Sequence, residues 1–228
     1  SVSKNYTLHC RTFDSHEVIF ACLFDLSKAF DRVWHDGLLA KLAHMGVQGE
    51  MFQWLCAYLT NRRQRVRVDA EFSSWQCIPA GVPQGSVLGP LLFLIYTSDL
   101  PISVPRPVEC DQFADDTMLV SASVTSATAA CHLQTAIDHA GTWLTNWRLT
   151  VNTTKTKIME IHRCNLPATP SFTLHGQPLE RTTRHKHLGL VLSSDLRWNN
   201  NVDRVLSSAG QLLGVLRHLR SSLTDAAL

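Results

Sequence analysis

No Cys-x-x-Cys pair occurs in this chain; its seven cysteines stand singly at positions 10, 22, 56, 77, 110, 131 and 164. An odd count without close pairs argues against a disulfide framework and against a structural zinc site. It points instead to a reduced, intracellular setting, nuclear or cytoplasmic. The eleven histidines are scattered, with no spacing that suits a metal site on a helix; His185 and His187, flanking Lys186, read as surface or nucleic-acid-facing residues. Long hydrophobic runs are lacking as well. The longest, Val87 to Tyr96, is about half of the roughly 20 residues a membrane span needs, and no signal peptide is visible, so no membrane partner is expected. Charge of one sign is also missing: 21 Lys and Arg against 19 Asp and Glu leave a net charge of +2, which neither demands nor excludes nucleic acid. There is no internal repeat and no low-complexity tract. The 228 residues, 45% hydrophobic, suffice for one large or two small domains with a sizeable core. The first residue is Ser and the sequence stops just after a helical pattern, so the chain reads as a piece of something longer.

What is present is acidic and specifically placed. Phe113-Ala114-Asp115-Asp116 is followed by the apolar run Met118-Leu119-Val120, which reads as strand, tight acidic turn, strand. Asp25, in Leu23-Phe24-Asp25-Leu26, also follows an apolar run. Adjacent carboxylates repel unless a cation sits on them. Hard divalent cations such as Mg²⁺ prefer carboxylate oxygens and keep positions open for substrate phosphates. A second carboxylate from another strand would complete a two-metal site for in-line phosphoryl transfer, an arrangement a polymerase palm needs. Taken singly, Asp-Asp between strands is ordinarily a solvated turn, and an Asp at a strand end is most often a helix cap. The segments between them carry the decision.

Glu17 to Asp25 is a continuous β-prone run and reads as a buried strand. Helical spacing predicts helices over Leu38 to Met45 and Glu50 to Leu59. In Arg63-Gln64-Arg65-Val66-Arg67-Val68 the period becomes two, so a strand is expected with three arginines on one side and Val66 and Val68 on the other, paired with Phe72 to Ile78. A turn over 79–86 leads into Val87 to Tyr96, expected as a buried helix with Pro90 in its first turn. A Pro-rich connector at 101–107 precedes the acidic hairpin at 109–121. Residues 126–147 form a long helix with Leu133, Ile137, Ala140, Leu144 and Trp147 on one stripe; Trp143, Trp147, Trp54 and Trp75 are taken as core. A short strand over Lys157 to Ile161, two or three strands over 172–192 and a helix over 202–219 complete the order. The class is α/β in the α+β sense, helices on an antiparallel sheet.

These motifs stand in a recognisable order. Phe24-Asp25-Leu26-Ser27-Lys28-Ala29-Phe30-Asp31, then Gly81-Val82-Pro83-Gln84-Gly85-Ser86-Val87-Leu88-Gly89-Pro90, then Phe113-Ala114-Asp115-Asp116 resemble motifs A, B and C of reverse transcriptases, in wording closest to the non-LTR, LINE-type retrotransposon enzymes. Asn152-Thr153-Thr154-Lys155-Thr156-Lys157 resembles motif D, and His187-Leu188-Gly189-Leu190 looks like the motif E primer-grip hairpin. The resemblance implies a polymerase palm over 17–195, an unassigned lead-in at 1–16 and the start of a thumb at 196–228. It implies RNA-templated DNA synthesis from a DNA primer and dNTPs with two Mg²⁺ or Mn²⁺ ions. Asp25 and Asp115 would bridge the metals, with Asp116 as a weaker ligand and the Leu26 carbonyl as a further one. Phe30 would be a steric gate beneath the sugar of the incoming nucleotide, or else a packed aromatic. Gln84 and Gly85 would contact the nascent pair and template; Gly85 would also let the backbone approach a ligand closely. Lys155 would act as a general acid toward pyrophosphate, or be a solvated lysine. Arg63 and Arg65, with Arg62 and Arg67, would neutralise template phosphates, or protect an exposed sheet edge. Asp31 would cap or orient the segment after it.

The sequence departs from the family in what surrounds the carboxylates. Only about two dozen residues precede Asp25, and they match none of the fingers motifs. The fingers are expected to be truncated, the thumb to be at most one helix, and an endonuclease domain to be absent. Three alternatives follow: a truncated, catalytically inactive retroelement remnant; a non-catalytic RNA-binding module; or a related catalytic lineage such as an intron maturase or telomerase, against which the wording of residues 24–31 and 81–90 points to the LINE type. The family resemblance implies nothing about oligomeric state.

Overall fold

The protein is described here by a computed structural model over residues 18–161 and 170–220. Its centre is β1 (Val18–Phe24), seven apolar residues buried on both faces. On one side β1 pairs antiparallel with β7 (Asp116–Ser123), which pairs antiparallel with β6 (Glu109–Phe113); on the other it pairs antiparallel with β8 (Lys157–Ile161), which takes β11 (Glu180–Arg181) in parallel. The sheet order is therefore β11-β8-β1-β7-β6. The expected antiparallel sheet and the hairpin over 109–121 are both present. The lead-in at 1–16 and Glu17 lie outside the described residues.

Alternation along β1 sorts its side chains between two clusters. Val18, Phe20, Cys22 and Phe24 join the main core beneath the helices, while Ile19, Ala21 and Leu23 join Val120, Met159 and Ile161 on the opposite face, covered by Leu192 and Leu196. The helices are α1 (His35–His44), α2 (Gly49–Leu59), α3 (Leu88–Thr97), the single turn α4 (Leu100–Ser103) and α5 (Ser126–Asn146). In α5, Leu133, Ile137, Ala140 and Leu144 are buried as one stripe, and the Thr125 hydroxyl caps the helix by accepting from the Thr128 N–H at 3.2 Å. Lys41 of α1 ties this layer together. Its ammonium donates to the Tyr96 carbonyl and the Asp99 carboxylate and lies 3.6 Å from the centre of the Trp147 ring. Burial holds this lysine below its ordinary pKa, with Asp99 pulling the other way.

Several expectations are corrected. The strand over 63–68 is two short pieces, β2 (Arg63–Gln64) and β3 (Arg67–Val68), paired with β5 (Gln76–Cys77) and β4 (Glu71–Phe72). Val66 and Val68 face no core and are exposed. Trp54 and Trp75 are also exposed, whereas Trp143 is buried. The helix over 87–96 is half-covered: Leu92, Phe93 and Tyr96 are inside, but Leu91 and Leu94 face out. The connector at 101–107 overlaps the turn of helix α4, which Pro101 can start because its missing N–H would have no partner there. Residues 172–192 hold five short strands rather than two or three: β9 (Thr173–Leu174), β10 (Gln177–Pro178), β11, β12 (Arg184–His187) and β13 (Leu190–Ser193).

The last helix, α6 (Asn199–Arg220), leaves the sheet with its apolar side chains exposed. Its base is anchored to the β12–β13 hairpin. The Asn201 side chain donates to the Val191 carbonyl at 2.8 Å and accepts from the Val191 N–H at 2.9 Å, and Arg204 donates to the Gly189 carbonyl at 2.8 Å.

Candidate active site

The acidic residues gather at one end of the sheet because of strand register. β1 ends at Phe24 opposite Thr117, and β6 and β7 close with Phe113 opposite Asp116. Asp25 therefore emerges beside Asp116, and Ala114 and Asp115 are left as a two-residue hairpin turn. Ala114 sits at φ 55°, a left-handed conformation uncommon for a residue with a Cβ. Pairing on both sides holds it there, helped by the Gln112 side chain donating to the Ala114 carbonyl at 3.3 Å. Asp115 and Asp116 are exposed and Asp25 is half-buried. Among the described residues none of the three is in a salt bridge.

Beyond Asp25 the chain is held by the segment after α5. The Asp25 N–H donates to the Thr156 hydroxyl at 3.2 Å, the Asp25 carbonyl accepts from Asn152 N–H at 2.8 Å, and Ser27 N–H donates to the Thr150 carbonyl at 2.8 Å. Leu26 faces Val151 in this bridge. The bonds are made by the residues on either side of it, so the Leu26 carbonyl stays out of the pairing. Lys28 then adopts φ 50°, ψ 47°, and a short 3-10 turn over Ala29–Arg32 presents Phe30. The Phe30 ring stacks on Phe93, centroids 4.4 Å apart and planes 20° off parallel.

The loop ahead of α3 is stitched onto that turn. Gly81 N–H donates to the Val33 carbonyl at 2.8 Å, Val82 N–H to the Phe30 carbonyl at 2.9 Å, and the Gln84 amide to the Asp31 carboxylate at 2.9 Å. The buried His35 ring also meets the Gly81 carbonyl at 2.8 Å. The result is a pocket of about 400 Å³ lined by Lys28, Ala29, Phe30, Pro83, Gln84, Gly85, Pro90 and Asp115. Of the residues singled out from sequence, Phe30, Gln84, Gly85 and Asp115 line this one cavity. Asp25, Leu26 and Asp116 are at the sheet end. Lys155 is exposed on the Asn152 turn, and Arg63 and Arg65 are exposed on the β2–β5 hairpin; none of these three is among the pocket-lining residues.

Gly85 has φ 79° and open space where a Cβ would stand, so its backbone conformation, not a close protein neighbour, is what favours glycine. Sequence reasoning missed Lys28 and the Asp31–Gln84 contact. Lys28 stands two residues before Phe30, a proximity that marks it in hindsight; the Asp31–Gln84 contact has no local signal. His185, expected as a surface or nucleic-acid-facing residue, is half-buried. Burial, then His187 and Lys157, hold its imidazole below the ordinary value, while Asp116 and Asp25 pull it upward. Burial pushes the Cys110 thiol up to about 12, with Asp111 adding to the shift, and raises Cys22 as well; neither is a thiolate nucleophile.

The donor set suits a hard divalent ion in kind, carboxylates and a carbonyl, and the Lys28 side chain lines the same pocket as Asp115. As they stand, no three His, Cys, Asp or Glu side chains among the described residues are gathered closely enough to hold an ion.

Comparison with known proteins bears directly on this geometry. Residues 5–192 match the family model described as "Reverse transcriptase (RNA-dependent DNA polymerase)". The chain is 34% identical over 220 residues to the "Probable RNA-directed DNA polymerase from transposon BS" of Drosophila melanogaster, covering 92% of this chain and 24% of that protein. It is 32% identical over 199 residues to the "RNA-directed DNA polymerase from mobile element jockey" of Drosophila funebris, covering 83% of this chain and 21% of that protein. The chain thus spans about a quarter of the length of these curated relatives or less. Among solved structures, apo telomerase from Candida tropicalis superposes with a TM-score of 0.59 at 13% identity, over 87% of this chain and 39% of that one. Telomerase from Candida albicans, in complex with the TWJ fragment of telomeric RNA, gives 0.53 at 13% identity, over 86% and 34%. At such identity the telomerase likeness shows a shared palm fold.

Proposed function

The chain belongs to the reverse transcriptase family, its relatives being non-LTR retrotransposon polymerases, and from that premise we propose that it is the palm of a LINE-type RNA-directed DNA polymerase. It extends the 3′-hydroxyl of a DNA primer with dNTPs on an RNA template. The observation that supports this reading best is the shared pocket: Phe30, Gln84, Gly85 and Asp115 come from three separate motifs and line one cavity beside Asp25 and Asp116.

Reverse transcriptases use divalent metals, and two Mg²⁺ or Mn²⁺ ions are proposed here on Asp25 and Asp115, with Asp116 and the Leu26 carbonyl as further ligands. When bound, such ions acidify a hydroxyl nucleophile and neutralise a triphosphate. The protein's own part is to position. Asp25 presents its carboxylate from just beyond the end of β1, and Asp115 from the turn of the neighbouring β6–β7 hairpin. Phe30, braced on Phe93, forms the floor on which the incoming sugar sits, where a 2′-hydroxyl would meet the ring. Gln84 and Gly85 line the side where the templating pair would stack. Lys155 is the candidate proton donor to pyrophosphate. Arg63 and Arg65 take template phosphates. Residues 17–195 form the palm and 196–228 begin a thumb, and the site of action is intracellular, in nucleus or cytoplasm.

The test is primer extension on poly(rA)/oligo(dT) with Mg²⁺, comparing the chain with its Asp115→Asn form. Extension that disappears in Asp115→Asn and on chelation with EDTA supports the assignment. An Asp115→Asn form as active as the parent would remove Asp115 from the metal site. No extension by either would leave the family assignment intact and make the chain a remnant or an incomplete fragment, with extension by a form carrying upstream residues deciding between the two.

A further inference from the structure

The hairpin from Arg62 to Ile78 meets the rest of the fold at its foot, where Arg62 and Ile78 are half-buried. Every residue from 63 to 77 is exposed, and its ladder consists of two short paired stretches, Arg63 and Gln64 with Cys77 and Gln76, then Arg67 and Val68 with Phe72 and Glu71. The middle is held by Ser73: its N–H donates to the Val66 carbonyl and its hydroxyl accepts from the Val66 N–H, both at 2.9 Å. A two-stranded ribbon without a buried face is marginal at best in water. Yet this one displays Val66, Val68, Phe72 and Trp75, all between 49% and 65% exposed.

The aromatic rings are organised by arginine. The Arg65 guanidinium lies 3.9 Å from the Phe72 ring centre and 4.6 Å from that of Trp75, and Arg67 lies 5.5 Å from Phe72. Each guanidinium covers part of a ring and leaves the rest to solvent. At the foot of the hairpin Trp54, also exposed, stacks on Tyr58 at 5.5 Å and 16°, with Arg62 at 5.9 Å from the Tyr58 ring. The hairpin carries four arginines against two carboxylates, Asp69 and Glu71, and Arg67 Nε donates to the Asp69 carbonyl at 2.8 Å. Flat rings interleaved with cations that follow a chain of phosphates is the chemistry of single-strand recognition, because every base has a face to stack and the groove needs no sequence. An apolar protein partner would not need four arginines. A duplex hides its base faces and could use only the charge.

We propose that the 62–78 hairpin is a stacking platform for single-stranded RNA, with bases on Phe72 and Trp75 and phosphates on Arg63 and Arg67. Its returning strand runs through Ile78 directly into the loop that carries Gln84 and Gly85, so a strand lying on it is continuous with the pocket. The proposal deepens the template reading above and rests on it for the identity of the strand.

The test is fluorescence anisotropy of the 228-residue chain with labelled oligouridylate, in EDTA and without nucleotides, over a salt series. Binding is then read whether or not the chain polymerises, so failure of the platform and failure of the polymerase assignment are separate results. Trp75→Ala and Phe72→Ala are each expected to weaken binding roughly tenfold with the salt slope unchanged. Arg63→Ala and Arg67→Ala are each expected to flatten that slope by about 0.7. Trp75→Leu keeps apolar area but removes the ring face and should bind as poorly as Trp75→Ala, while Trp75→Tyr should recover most of the affinity. Parent-like binding by Trp75→Leu would overturn stacking in favour of an apolar docking surface. An equal loss on blunt duplex RNA would overturn it in favour of a bare phosphate patch, and unchanged binding in the Phe72→Ala/Trp75→Ala double variant would overturn the platform outright.

Discussion

The Gln84 side-chain amide donates to the Asp31 carboxylate at 2.9 Å, joining the loop before α3 to the turn after β1 across 53 residues of sequence. Two backbone bonds run beside it, Gly81 to Val33 and Val82 to Phe30. The two walls of the pocket are thus one unit, and Gln84 is aimed by Asp31 rather than left free to choose among rotamers. Both groups are exposed, so the bond contributes at the low end for a charged acceptor, about 1 kcal/mol. Asp31→Ala should therefore lower kcat/KM for nucleotide incorporation about fivefold while lowering the thermal midpoint by only about 2–4 °C. A double-mutant cycle with Gln84→Ala should be non-additive. Strictly additive effects would mean that the contact does not position Gln84.

Two glycines in that loop have positive φ for different reasons. Gly81, at φ 96°, would place a Cβ 2.8 Å from the Asp31 carbonyl oxygen, while Gly85, at φ 79°, has no atom within 4 Å of a Cβ. Gly85→Ala should cost only the left-handed strain, about 1 kcal/mol. Gly81→Ala adds a clash with backbone that cannot rotate away and should cost about 3 kcal/mol. Urea denaturation of the two variants checks the ordering. Equal costs would show that the Asp31 turn yields easily and is not a fixed wall of the pocket.

The central strand, the acidic hairpin and α5 were legible in the sequence because burial imposes a period there. Val18 to Phe24 is apolar without a break, and Leu133, Ile137, Ala140 and Leu144 recur at helical spacing. The 63–78 hairpin misled for the same reason. Alternating arginine and valine imitates a half-buried strand, but no described residue covers its apolar side, so Val66 and Trp75 are exposed. The candidate site was legible as motifs and not as geometry. Asp25, Asp115, Phe30 and Gln84 could be named from their order, but the Asp31–Gln84 contact and the place of Lys28 in the pocket wall depend on long-range register that no local pattern carries.

Lys41 makes a separate prediction about the layer that supports the pocket. Its ammonium bonds the Tyr96 carbonyl and Asp99 within reach of the Trp143 and Trp147 rings, 5.0 and 3.6 Å from their centres. Removing one member of a buried pair normally costs several kcal/mol, but the Asp99 side chain is 43% exposed and water can take over part of its partner's role. Lys41→Met, which keeps the volume, should destabilise the fold by about 2 kcal/mol in urea titration. Asp99→Asn, which leaves the Tyr96 carbonyl and the rings in place, should cost less. The reverse order would place the stabilisation in the ion pair instead of the cage.

Phe30 carries the sharpest consequence of the pocket's geometry, because it has two neighbours with different claims on it. One face stacks on Phe93 at 4.4 Å, a packing contact, and the ring also lines the cavity that holds Asp115, where the proposed sugar gate would act. Truncation should therefore show both roles. Phe30→Ala should lose about 1–2 kcal/mol of stability, less than for a fully buried ring because Phe30 is only half-buried. With Phe30 as the proposed gate, it should also narrow the preference for dTTP over UTP by at least tenfold, since the ring set against a 2′-hydroxyl is gone. Phe30→Tyr keeps the ring and should retain both stability and preference. The measurement is single-nucleotide incorporation of dTTP and UTP on an RNA template, read as a ratio of kcat/KM so that any loss of folded protein cancels. A Phe30→Ala form that is destabilised but still rejects UTP as the parent does would leave Phe30 as a packing partner of Phe93 and place sugar discrimination elsewhere in the pocket.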